Sequence, residues 1–278
     1  MKKTEIYNLQ VIRGVAALLV VFEHLMPVQM SRFIPQGQIG VSMFFFISGF
    51  VMVYSFKEDE SGFLFLKKRV KRIYPAYIIL SLPLIMYYGI ESGSFIYFIH
   101  SISLIAFYEW VPFTPEYNFV SRATASPVAW TLYYEMYFYF MFALSKFFFK
   151  KRVSVAVLTT LLILIAFCVF NYIYGNNGQL GWGNVSYIGI CSNLSLLSFI
   201  AGMLFYFVKV QGSDSNKRYF VYLIPFVSWF ALKTSDKYFS EVFTNKQIVD
   251  LFFSSIPSWV FVSILVKSKA CSVMTPTY

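Results

Sequence analysis

Three ionisable residues stand inside an apolar run near the start of the chain: Arg13, Glu23 and His24, within 9–25. About 20 mostly apolar residues suffice to cross the hydrocarbon core of a bilayer, so the run reads as a spanning helix. An arginine at the centre of such a span costs roughly 2.5–3.5 kcal/mol on insertion scales, and the cost asks for a compensating role. Arg13 and His24 are eleven positions apart, which on a helix brings them within about 20° on one face and roughly 16 Å apart along the axis. One face thus carries a fixed cation near one end and a titratable base near the other. The plainer alternative is that Arg13 snorkels to the inner headgroups and His24 sits at the outer interface, with no chemistry.

A second candidate is Glu135, in a later span that opens Ser126-Pro127-Val128-Ala129-Trp130. Proline is tolerated in a first helical turn, and Trp130 suits an interfacial anchor. Glu135 would lie roughly 10 Å below the outer surface, and His24 a few residues below the same surface. A carboxylate at that depth can accept from one imidazole nitrogen, fixing the tautomer and raising the basicity of the other. A structural ion pair is the alternative. A third candidate is the basic stretch Lys67-Lys68-Arg69-Val70-Lys71-Arg72, expected to be a loop held at the membrane surface by Pro75, which starts the next span. It reads either as a topology determinant facing anionic lipid or as an anion site, with Arg69 and Arg72 holding phosphate groups.

The elements that must position these residues follow from composition. Of 278 residues 58% are hydrophobic and 13% charged, with 33 Phe and 21 Tyr. That excludes an ordinary soluble domain and points to a polytopic membrane protein. The net charge of +10 comes from basic residues clustered between apolar runs, which fits positive cytoplasmic loops better than nucleic-acid binding. Cys168, Cys191 and Cys271 are scattered and odd in number, so they signal neither a disulfide framework nor a metal site. Lys2 and Lys3 resemble a signal peptide's basic start, but Arg13 and the lack of a small-x-small cleavage site predict an uncleaved first span.

Apolar runs long enough to span fall at about 8–28, 38–56, 73–90, 128–149, 153–174, 187–208, 219–233 and 247–266. A ninth, 95–110, contains His100 and two serines and ends in Glu109-Trp110. Placing every basic cluster inside requires that 95–110 not cross. The expected fold is therefore all-α: a transmembrane bundle of about eight spans plus one re-entrant or interfacial helix, nine spans if that helix crosses. Both termini are then cytoplasmic, in a plasma (inner) membrane. Gly37, Gly40, Ser42, Ser48 and Gly49 punctuate the second span, where small residues allow close helix approach.

Four motifs in order resemble acyltransferase family 3, the integral-membrane O-acetyltransferases of polysaccharides, lipopolysaccharide and related acceptors. They are Arg13, ten residues, His24; Gly40-Val41-x-x-Phe44-Phe45-x-x-Ser48-Gly49-Phe50; Arg69-x-x-Arg72-Ile73-x-Pro75; and Trp130-x-Leu132-x-x-Glu135. A weaker fifth is Phe199-Ile200-Ala201-Gly202-Met203-Leu204. The resemblance implies one transmembrane acyltransferase domain over 1–278 and an acyl-CoA donor, acetyl-CoA, entering from the cytoplasmic side. The acceptor it implies is a glycan hydroxyl on the far side, with membrane lipid as the surrounding partner. It makes His24 the base or transient acyl carrier, has Arg13, Arg69 and Arg72 hold the donor, and has Glu135 support the site. A pantetheine arm is long enough to bridge the roughly 16 Å from Arg13 to His24. Members of the family usually have about ten spans and a late Ser-Tyr-x-x-Tyr-Leu-x-His-type segment; about two of those spans and that segment have no counterpart in this sequence, which leaves open a shortened or non-catalytic form. A proton-coupled secondary transporter is the alternative from another class, since intramembrane Arg13, His24 and Glu135 would also serve it; no inverted repeat accompanies them.

Overall fold

The computed structural model describes residues 7–25, 37–92, 95–105, 109–110, 119–120, 129–174, 187–207 and 251–267. These are helical apart from turns and one antiparallel pair of two-residue strands, β1 (Glu109–Trp110) and β2 (Phe119–Val120). The helices are α1 (Tyr7–Leu25), α2 (Gly37–Tyr54), α3 (Gly62–Ser92), α4 (Phe95–Ser103), α5 (Trp130–Phe148), α6 (Arg152–Tyr174), α7 (Tyr187–Cys191), α8 (Leu196–Phe205) and α9 (Ile256–Lys267), the last preceded by a π-helical turn at Leu251–Ser255. Among the described residues three helical segments are long and apolar enough to cross a bilayer: Gly37–Tyr54, Gly62–Glu91 and Arg152–Ile173. The run expected at 219–233 lies outside the described residues.

The chain divides into two compact units, 1–55 with 197–278, and 56–196. The first is built on α2, whose sides are nearly all buried. Its small residues explain that burial. A Cβ on Gly40 would sit 2.6 Å from the Ala16 carbonyl of α1, one on Gly49 2.2 Å from the Phe199 carbonyl of α8, and one on Gly202 1.9 Å from the Phe46 carbonyl. Gly49 and Gly202 therefore admit each other's helix backbone reciprocally, and α2 and α8 cross at a distance no larger residue permits. Phe45 packs its ring 5.3 Å from that of Phe199 beside this crossing. Leu9, Ile12 and Ala16 of α1 join Ile39, Met43, Phe46 and Phe50 of α2 in one apolar core. The π turn adds a buried polar contact, Ser42 Oγ to Ser255 Oγ at 3.0 Å, and Trp259 of α9 donates to Ser198 Oγ of α8 at 3.0 Å.

The second unit packs α5 between α3 and α6. Gly62 lets α3 approach the Ala143 carbonyl of α5, where a Cβ would stand 2.3 Å away. Phe65 then packs on Phe142, centroids 5.1 Å apart, and edge-on to Tyr139 at 6.1 Å. On the far side of α5, Thr159 of α6 bonds Ser145 at 2.9 Å in a buried pair.

Two expectations change in detail. The basic stretch 67–72 is not a loop: it forms early turns of α3, and Pro75 lies inside that 31-residue helix. Ser61 caps the start, its Oγ accepting from Leu64 N at 3.2 Å, and lysine, arginine and leucine sustain the helix beyond it. Pro75 removes one hydrogen bond, a loss that helices in membrane proteins tolerate when neighbours compensate. The run 187–208 is broken into α7 and α8, because the Asn193 side chain accepts from Ser195 N at 2.8 Å in a local turn, competing with the helical ladder. Among the described residues of 95–110 the helical part is the nine-residue α4, about 14 Å long and so too short to cross alone. It folds back along α3: Tyr74 and Tyr77 donate to the Ser103 and Ser101 carbonyls, and Gly89 makes room for the Phe98 ring. Leu104, at φ 53°, ends α4 in the left-handed conformation usual for glycine, and its own side chain is buried.

Candidate active site

Arg13 and His24 both lie on α1, which runs unbroken from Tyr7 to Leu25. The helical register expected between them is therefore kept. The buried stripe of this helix is Leu9, Ile12, Ala16 and Val20, and the register places Arg13 and His24 on one flank of that stripe. Arg13 is half-buried, and beside it Gly14 has open space within 4 Å of where a Cβ would be. The side chains of Glu23 and His24 lie outside the described residues.

In the second unit α3 and α5 bring Arg69, Arg72 and Glu135 together, around a residue the sequence analysis did not single out. Tyr139 lies one turn after Glu135 and is 1% exposed. Its hydroxyl donates to Glu135 Oε1 and accepts from Arg72 Nη2 at 2.7 Å. Arg72 Nη2 also stands 3.5 Å from Glu135 Oε1, closing a three-membered group. Arg69, one turn earlier on the same face of α3, places its guanidinium 5.0 Å from the Phe65 ring centroid and 5.4 Å from that of Tyr139, within cation–π range. The signal that could have found Tyr139 is its spacing: positions i and i+4 on a helix are neighbours, and Tyr139 is i+4 from Glu135.

A second polar group fixes the start of α3. Glu60 in the turn after α2 pairs with Lys68 at 2.7 Å and with Lys146 of α5 at 3.4 Å. Burial pushes the Glu60 carboxyl up, but the hydrogen bond from Lys68 and the charge of Lys146 outweigh it and hold it below the ordinary glutamate range. Lys146 also donates to the Lys57 carbonyl at 3.1 Å and lies 4.5 Å from the Phe56 ring centroid. Arg152 of α6 reaches the Phe56 carbonyl at 3.4 Å. The turn is thus tied to two other helices, which sets the register of α3 and with it the placement of Arg69 and Arg72.

Chemically, two guanidinium groups one turn apart, balanced by one carboxylate, retain a net positive charge. That arrangement suits a polyanion, because charge-assisted and bidentate bonds to phosphate oxygens are the strong ones. Among the described residues no three His, Cys, Asp or Glu side chains gather as metal ligands. A family model of the acyltransferase domain matches residues 6–267, nearly the whole chain. The chain belongs to acyltransferase family 3. The match spans both units of this family 3 protein and includes Arg13, His24, Arg69, Arg72 and Glu135. No curated protein and no solved structure matches the chain. Family membership and the three apolar segments long enough to span together make it a membrane acyltransferase-family protein. A transporter reading has no comparable support.

Proposed function

We propose that this protein is an integral-membrane O-acyltransferase that takes acetyl from cytoplasmic acetyl-CoA and delivers it to a hydroxyl of a cell-surface polysaccharide or lipopolysaccharide. The observation that carries the reading is the Arg69–Arg72 pair, held on α3 by Tyr139 and Glu135 of α5. It is a preformed cationic site at the basic end of a spanning helix, in a chain of an acyltransferase family. Arg13, Arg69 and Arg72 hold the phosphates of the donor. His24 removes the proton from the acceptor hydroxyl or carries the acyl group transiently. In the direct route, the hydroxyl oxygen bonds to the thioester carbonyl carbon, the carbon–sulfur bond breaks, and the proton passes from His24 to the departing thiolate. Glu135 offsets the positive charge of the arginines and supports the site. In this reading both termini are cytoplasmic and the protein resides in the plasma (inner) membrane.

The test is incubation of the purified protein, or of vesicles carrying it, with acetyl-CoA labelled in the acetyl group. Release of free CoA thiol that depends on the protein, with label moving to a glycan fraction, supports the proposal. Ion-driven uptake of solute without thiol release would contradict it.

A further inference from the structure

We propose that Tyr139 is a positioning residue for the donor site, fixing both arginines before the donor arrives; this rests on the reading of Arg69 and Arg72 as the donor's phosphate ligands. Two flexible, like-charged side chains one turn apart repel each other and lose rotamer freedom when a ligand orders them. Tyr139 reduces both costs through two different parts of one side chain. Its ring, packed edge-on against Phe65, presents a face to the Arg69 guanidinium. Its hydroxyl accepts from Arg72 and passes its own proton to the hydrogen bond with Glu135, so one carboxylate steadies Arg72 both directly and through the phenol.

The geometry explains why a tyrosine stands here. Phe138, Phe142 and Phe65 show that this packing accepts phenylalanine, and Tyr139 is as buried as they are. A buried hydroxyl without partners would be costly, yet this one has a charged group on each side. The Arg72 side chain is 44% exposed, so its outer edge remains open to a ligand while Tyr139 holds the inner one. Preorganisation of this kind raises affinity by removing ordering costs. The ligand class it fits is one with adjacent phosphate groups, as CoA has in its pyrophosphate.

The test uses the full-length protein in detergent or nanodiscs and CoA itself as probe, so it needs neither acceptor nor turnover. Tyr139→Phe keeps the ring and removes only the hydroxyl. The Kd for CoA is expected to rise about tenfold, the low end of what loss of one charge-assisted hydrogen bond produces. KM for acetyl-CoA should follow, kcat should stay within about threefold, and the melting temperature should barely move. Arg72→Gln should weaken CoA binding as well. The double variant should be hardly weaker than Arg72→Gln, because residues acting as one unit are not additive. Should Tyr139→Phe fail to accumulate, Arg72→Lys replaces it, since it keeps the charge but loses the fork that meets hydroxyl, carboxylate and ligand together; wild-type affinity in that variant overturns the proposal. Wild-type Kd in a folded Tyr139→Phe protein, or losses that multiply in the double variant, overturn it too. A wild type that transfers acetyl but shows no such dependence removes this inference alone, whereas a wild type that binds no CoA removes the parent reading with it.

Discussion

Arg72 Nη2 donates to the hydroxyl of Tyr139 at 2.7 Å, while the same hydroxyl donates to Glu135. A guanidinium from the basic turns of α3 and a carboxylate from α5 are thereby joined through one buried phenol. Donor binding should depend on the arginines more than chemistry does. Arg69→Gln and Arg72→Gln are each expected to raise KM for acetyl-CoA about tenfold or more, equivalent to the 1.5–3 kcal/mol typical of a hydrogen bond to a charged group. Steady-state kinetics with varied acetyl-CoA check this, and a fall in kcat at unchanged KM would assign the arginines to the chemical step instead.

The crossing of α2 and α8 makes a stability prediction. A Cβ on Gly202 would meet the Phe46 carbonyl at 1.9 Å, which only a backbone shift relieves. Gly202→Ala should destabilise by about 1–3 kcal/mol or more, as overpacking does. Gly14→Ala meets nothing within 4 Å and should be neutral or stabilising by about 0.5–1 kcal/mol, since alanine suits a helix interior better. Melting curves of the two purified variants decide it, and equal behaviour would contradict the close crossing.

Glu60 gives the fold an acid-sensitive tie. Its carboxyl is held below the ordinary range by Lys68 and Lys146 against the opposing effect of burial. A group with a depressed folded pKa contributes stability that is complete above its unfolded pKa, about 4.3. That contribution is lost as pH falls through the folded value. Wild type should therefore exceed Glu60→Gln in stability at pH 7, and the two should converge as pH drops below about 4. Denaturation measured at pH 7, 5 and 3.5 checks it; a gap that widens toward acid would show that the pairing does not lower the Glu60 pKa.

Much of this was legible in the sequence because it depends on local pattern. Long, mostly apolar runs marked α1, α2, α5 and α6, and the spacing of Arg13 and His24 already set their common face. The motif Arg69-x-x-Arg72 placed two cations one helical turn apart wherever the helix began. What stayed hidden depends on capping and on partners distant in the chain. Ser61 and the Glu60 pairs start α3 ahead of the basic stretch, so residues that read as a loop became helix. Asn193 breaks a run whose apolarity alone predicted continuity. Tyr139 was hidden for a related reason: its i+4 spacing from Glu135 is local, but the guanidinium that makes the pair meaningful, that of Arg72, stands 67 residues away.

The proposed orientation is open to a labelling test. In a chain whose native Cys168, Cys191 and Cys271 are replaced, Asn118→Cys should react with an impermeant thiol reagent added to intact cells, and Lys151→Cys should not. This follows from the positive-inside placement of the basic clusters with α4 too short to cross. The opposite pattern at both positions would mean that 95–110 crosses.

The central claim is that this family 3 chain transfers acyl groups with His24 as base or transient carrier. It is tested most directly by comparing purified wild type with His24→Ala for protein-dependent thiol release from acetyl-CoA and movement of labelled acetyl to a glycan acceptor. The predicted result is a loss of at least about 10² to 10⁴-fold, the usual contribution of a general base, in a protein of near-normal abundance and melting temperature. A well-folded His24→Ala protein that retained most of the transfer rate would contradict the account.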